Sequence, residues 1–323
     1  MTQLFALLQA SLVFGTVILF GAAGEILTEK SGNLNLGVPG IMYLGGIAGL
    51  SGAFFYETHA AAPVGLVGLL IALVCAIVAS GIGGLIYSFL TITLRANQNV
   101  TGLTLTIFGG GIANFFGGSL NKIAGGVGQI SLSTTNGAFS ATLPFLNNVP
   151  VFSSLGFMVY LAIITAILLS YFLNRTRRGL NLRAVGENPA TADAAGIGVT
   201  KYKYLATCVG AAVSGLGGLY YVMDYTKGTW ASDGGIERLG WLAVALVIFA
   251  RWKPTHAIWG SYLFGILSWM YLYIPGLTRS SLEIFKMLPY LVTILVLVIV
   301  SLRSRRENKP PESLGLAYFR EER

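Results

Sequence analysis

The chain has 323 residues, of which 54% are hydrophobic and only 11% charged, and its formal net charge is +8. A soluble domain carries about 25% charged residues, so this composition, with a mean hydropathy of +0.70, excludes an ordinary water-soluble fold. Apolar runs close to bilayer length recur along the chain, which predicts an all-α polytopic membrane protein.

In chain order, apolar segments predict about nine membrane helices, near residues 4–24, 37–55, 63–93, 99–119, 154–173, 203–223, 238–250, 256–274 and 286–302. The first basic residue is Lys30, so residues 4–24 lack the charged start of a signal peptide and read as a retained helix. The 42 glycines suit close approach of membrane helices. Cys75 and Cys208 lie in apolar segments and read as small packing residues, without metal or disulfide spacing.

Alternating the loops sorts the basic residues. Lys122, Lys227, Arg238, Arg279 and Lys286 fall on one set, and the remaining sixteen of the 21 on the other. The positive-inside rule puts the richer set in the cytoplasm, with the N-terminus outside and the C-terminus inside the cell membrane. The positive charge is then topological and calls for membrane lipid, not nucleic acid, as its counterpart. The long loop 120–153 becomes external, as a connector, a docking surface or a gate.

Two segments break the helical pattern. In "EILTEKSGNLNLGVPG", residues 25–40, Gly32, Gly37, Pro39 and Gly40 oppose an undisturbed helix. In "ASDGGIERLGWLAVALVIFARWKP", residues 231–254, a Gly-rich start leads into a short apolar helix. Breaks of opposite orientation predict an inverted repeat, a common transporter device.

Between two apolar segments lies the basic stretch 174–202. Within "GENPATADAAGIG", Asn188 suits an N-cap, Pro189 the first helical turn and Gly196 the C-terminal stop. A helix of about two turns follows, too short to span a bilayer and marginal unless it packs on something. On the residues alone, a groove-fitting helix and a solvated loop with a turn remain equally open.

The motif "GENPATADAAGIGV" (residues 186–199) resembles the coupling-helix segment of ABC importer permeases. "GEILTEKSGNLNLGVPGIMYLGG" (24–46) and "NQNVTGLTLTIFGGGIANFFGG" (97–118) narrow the resemblance to the branched-chain amino acid, ribose and nucleoside group, and within it to the nucleoside-type permeases. The resemblance runs from about residue 15 to 303. It departs at Pro39, where many such permeases carry an acidic residue. It implies a transmembrane permease domain over 1–303, with 174–202 as its cytoplasmic coupling segment and 304–323 as a cytoplasmic tail. It further implies that Glu187, Asn188, Pro189, Asp193, Ala195 and Gly196 meet a cytoplasmic ATPase subunit. The other implied partners are a second, homologous permease and an external substrate-binding protein. The implied substrate is a nucleoside, with ribose or another sugar, riboflavin and a branched-chain amino acid as alternatives.

The chain carries no G-x-x-x-x-G-K-[ST] phosphate loop, so it is expected to bind no cofactor and to leave ATP to its partner. Ser214 in "SGLGG" lacks a buried His partner, and small-residue packing is preferred there to a protease. Glu25 and Asp224 are placed at span ends, so buried acids are scarce. That favours an externally powered subunit over the rival reading, a secondary transporter or channel. Polar residues in apolar surroundings are the expected substrate contacts: Asn33 and Asn35 in the first break, Asn97, Asn99 and Thr101 at the start of the fourth helix, and Asn114 within it. Their alternative role is capping and interhelical bonding.

Overall fold

The computed structural model describes residues 2–123, 132–142, 155–274, 276, 279–302 and 309–320. Each of the nine apolar segments becomes a helix. They are α1 (Thr2–Glu29), α2 (Val38–His59), α3 (Gly65–Ser88), α4 (Gln98–Ile123), α6 (Phe157–Arg175), α9 (Val199–Tyr220), α10 (Gly235–Phe249), α11 (Pro254–Trp269) and α13 (Leu288–Leu302). Four shorter helices join them: α5 (Ser133–Phe139), α7 (Arg177–Glu187), α8 (Pro189–Ala194) and α12 (Arg279–Lys286). Helices α3 and α9 each continue into one π-helical turn, Phe89–Thr93 and Tyr221–Tyr225. No sheet forms among the described residues; one isolated bridge pairs Thr142 with Gly156.

Six helices are long and apolar enough to cross a membrane. Helices α10, α11 and α13 have 15, 16 and 15 residues. At 1.5 Å per residue each is about 24 Å or less, short of the ~30 Å hydrocarbon layer. The expected mixture of full and short spans is therefore present. The two breaks are residues 30–37 and 226–234, at opposite ends of the bundle, as the inverted-repeat expectation requires. The first break is narrower than expected. Residues 25–29 stay helical, and Pro39 and Gly40 sit in the first turn of α2, where Pro costs nothing.

The centre is built by α1 and α9, flanked by α2, α3, α10 and α11. Val17, Ile18, Leu19 and Phe20 are fully buried, so α1 is enclosed on all sides through its middle. Glycines permit the closest crossings. A Cβ on Gly24 of α1 would stand 2.2 Å from the Gly210 carbonyl of α9, and one on Gly218 of α9 1.8 Å from the Met42 carbonyl of α2. Ser214, on the same helix, donates its hydroxyl to the Gly21 carbonyl at 3.1 Å. It serves helix packing, as its surroundings predict. The outer faces of α3 and α4 expose Val74, Val78, Ile82, Ile107 and Phe115, which suits lipid contact.

Most of the loop 120–153 lies outside the described residues. Within it, α5 is anchored by Glu57 at the end of α2. This carboxylate accepts from the Thr134 and Thr135 amides at 3.0 and 3.2 Å and from the Thr135 hydroxyl at 2.9 Å.

Substituting Gly218→Ala should cost about 1–3 kcal/mol through overpacking against α2 backbone. The thermal midpoint of the detergent-solubilised protein should fall by several degrees. Gly81→Ala, which meets nothing within 4 Å, should leave it unchanged.

Candidate functional site

The site lies at the end of the bundle that carries α7 and α8. Chain entry into α7 is set by Thr176, whose hydroxyl accepts from the Gly179 amide at 3.0 Å. Asn188 ends α7 and starts α8, its side-chain oxygen accepting from the Thr191 amide at 2.9 Å. Pro189 occupies the first turn, and Gly196 follows with a φ of +79°, the left-handed stop that favours glycine. The expected two-turn helix is thus six residues long and closed at both ends by local chemistry. Ala192 seats it on Val185 and Val199. Ala194, Ala195 and Gly196 are exposed, as are Glu187 and Asn188, so the helix presents a small-residue surface outward.

From the sequence alone, everything after residue 303 reads as a tail. Residues 304–308 lie outside the described residues, but 309–320 fold back across this surface as a strap. The Ser313 amide and hydroxyl both donate to the Gly186 carbonyl, at 3.1 and 2.5 Å. The Gly315 amide donates to Gly32 at 3.2 Å, and the Glu312 amide to the Glu187 carboxylate at 3.4 Å. Asp193 of α8 accepts from the Tyr318 hydroxyl at 2.9 Å and pairs with Arg320 at 3.2 Å. Arg95 stacks over the Phe319 ring at 4.5 Å. The strap therefore touches α8, the first break and the turn before α4 at once.

The first break is a buried polar knot. The Leu34 amide donates to the Gln98 side chain at 2.6 Å, and the Leu34 carbonyl accepts from the Tyr87 hydroxyl. Glu25 receives both the Asn35 amide, at 3.1 Å, and the Asn35 side chain, at 3.3 Å. Asn35 in turn accepts from the Gly37 amide at 2.9 Å. The Leu36 carbonyl accepts from Thr106 at 3.0 Å, and Asn33 donates to Thr207 at 3.0 Å. The Asn33 side-chain oxygen is buried without a partner.

Here the structure corrects the expectation that buried acids are scarce. Glu25 and Glu29 lie in the last turns of α1, at the end of that span, and both are buried. Glu29 accepts from the Trp252 indole of the α10–α11 turn. Trp252 and its neighbour Arg251 both have a φ of +55°, a backbone that bulky residues rarely adopt. The buried contact accompanies that conformation. At the far end, Asp224 is buried in the π-helical turn and pairs with Lys227 at 3.0 Å.

The six expected substrate contacts do not form one cluster. Asn35 is spent in the knot, and Asn33 is buried there with its amide nitrogen bonded to Thr207. Asn97 caps α4, accepting from the Val100 amide at 3.1 Å, and Thr101 is buried with its hydroxyl on the Asn97 carbonyl. Asn99 is exposed beside them. Asn114, also exposed, lies about 22 Å farther along α4 and accepts from Trp230 at 3.2 Å. Among the described residues no group of His, Cys, Asp and Glu is arranged to hold a metal ion.

Comparison with known proteins shows the family of the chain. Residues 7–297 match the model of the branched-chain amino acid transport system permease component. The chain belongs to this family of ABC transporter permeases. It is 31% identical to the putative glucose ABC transporter permease protein TsgC13 of Haloferax volcanii, over 98% of both chains. It is 31% identical to the nucleoside ABC transporter permease protein NupC of Lactococcus lactis, over 89% of this chain and 90% of that one. Identity to the guanosine ABC transporter permease protein NupQ of Bacillus subtilis is 29%, over 90% of each. No solved structure matches. The permease is thus a multi-pass membrane protein of the branched-chain and nucleoside group, as its motifs led us to expect.

Sequence reasoning missed the strap of the permease because no local signal marks it. Its only trace is the return of apolar and aromatic residues, Leu314, Leu316, Tyr318 and Phe319, after a charged run. The double substitution Tyr318→Phe and Arg320→Gln removes both ties to Asp193. It should speed cleavage after Glu312 by a glutamate-specific protease severalfold, read by mass spectrometry, because cleavage tracks opening of the segment. The membrane helices should stay intact over the same time.

Proposed function

We propose that this permease lines the membrane pathway of an importer for nucleosides, powered by a separate cytoplasmic ATPase. The observation that carries the substrate is the similarity to permeases named for nucleoside and guanosine, over about nine-tenths of each chain. The α8 end is the ATPase face: Glu187, Asn188, Pro189, Asp193, Ala195 and Gly196 form the coupling surface, and the exposed small residues leave room for a cleft to close on the helix. Sixteen of the 21 basic residues belong to the loops and tail assigned to this end, which supports its cytoplasmic placement and an external N-terminus. ATP is consumed by the partner subunit. A second, different permease and an external binding protein complete the assembly, as in the nucleoside-type systems that the motifs resemble.

Transport then needs no chemistry in this chain. Closure of the ATPase pushes on α8, and the strap and α7 carry that displacement to the first break and the start of α4. Of the expected contacts on α4, Asn99 and Asn114 are exposed and meet the substrate. Asn33 and Asn35, bonded internally, hold the pathway wall. A sugar is the second reading, favoured by the relative named as a putative glucose permease.

The test is uptake of radiolabelled guanosine, uridine and glucose by vesicles holding the whole assembly. Nucleoside uptake should depend on ATP. Ala194→Trp, on the exposed face of α8, should reduce it to background while membrane insertion is unchanged. Uptake of glucose alone would replace the nucleoside reading with the sugar reading. Wild-type uptake by the Trp variant would remove α8 from the ATPase face.

A further inference from the structure

A cavity of about 530 Å³ opens at the α8 end, between the end of α6, α7 and the α10–α11 turn. Four cations line it: Lys30, Arg183, Lys253 and Lys309. Among the described residues Glu187 is its one acid. None of the four cations makes an ion pair among the described residues. The Arg183 Nε is buried without any hydrogen-bond partner, an unmade bond on a group that cannot shed its charge. Burial pushes the Lys30 ammonium below its ordinary value; Glu187 raises it, and Arg183 and Lys253 lower it again. The cavity thus holds an uncompensated excess of positive charge.

We propose that this cavity binds an anionic phosphate group, presented by the headgroup of an acidic phospholipid. A phosphate supplies acceptor oxygens for the Arg183 fork and charge for the lysines. The cavity's other walls fit the rest of such a lipid. Leu180, 57% exposed on α7, and Pro254 at the start of α11 give it an apolar flank. It lies where the membrane helices end, at the level of headgroups. Basic pockets between membrane helices take anionic headgroups for this reason. The site is independent of which solute the permease carries.

The test is native mass spectrometry of the full-length permease in detergent, after incubation with phosphatidylglycerol, phosphatidylcholine or inorganic phosphate. Wild type should retain phosphatidylglycerol about tenfold more than the zwitterionic lipid, a difference of about 1.4 kcal/mol. Arg183→Gln with Lys253→Gln should abolish the preference. Lys201→Gln, basic but outside the cavity, should keep it. Displacement of the lipid by inorganic phosphate identifies the phosphate as the recognised group, whereas retention means that the glycerol ester and chains also hold it. Either result agrees with the proposal. Equal retention of the two lipids by wild type would overturn it, and so would a preference that survives the double substitution.

Discussion

Backbone that leaves the helix inside an apolar bundle has to find a partner for each of its polar groups, because no water waits there to receive them. The rest of this structure depends on how residues 30–37 meet that demand. Their amides and carbonyls are taken by Glu25, Gln98, Tyr87, Thr106 and the strap. These partners come from α1, α3, α4 and the C-terminal segment, so one short stretch ties together helices that are distant in sequence. The acid at Glu25 looks costly in such a place. It is retained where two donors of Asn35 converge on it, which is how a buried polar group is made tolerable.

The same economy of contact governs the α8 end. A six-residue helix has too few internal bonds to persist alone. Ala192 seats it from below, and Asp193 is held from the side by Tyr318 and Arg320. The Arg320 pair is solvent-exposed on one side and adds little by itself. Its weight comes from the companion bonds of Ser313 and Gly315 on backbone carbonyls. Close packing of α9 on α1 and α2 gives these attachments a firm base, since glycines bring the helix backbones into direct contact. A displacement at α8 therefore meets a continuous chain of bonded groups leading to the first break.

Much of this was legible in the sequence because the signals are local. Apolar runs marked the nine principal helices, six of them long enough to cross a membrane. Asn188, Pro189 and Gly196 marked α8, since capping is a property of a few adjacent residues. The small residues around Ser214 marked a packing face. What escaped was non-local. Gly186 meets Ser313 across 127 residues, and Asp193 meets Tyr318 across 125. No pattern within one segment encodes such a meeting. The burial of Glu25 and Glu29 escaped for a related reason. An acid after an apolar run reads as the end of a span, and the partners supplied by Asn35 and Trp252 allow burial there. Helix α7 was hidden by its own charge, because a basic amphipathic stretch at a membrane boundary looks the same whether helical or not. For the substrate path, residue type alone did not separate Asn35, which is spent on structure, from Asn99, which is exposed.

Hydrogen exchange of the detergent-solubilised permease, followed by mass spectrometry over the peptide covering residues 33–37, tests this account most directly. The amides of Leu34 and Asn35 have acceptors on neighbouring helices, and that of Gly37 is held by the Asn35 side chain. They should exchange as slowly as the buried middle of α1, although the segment is not helical. Exchange as fast as that of the exposed turn at 60–64 would contradict the account, because the break would then be an open loop and not the tie on which the structure rests.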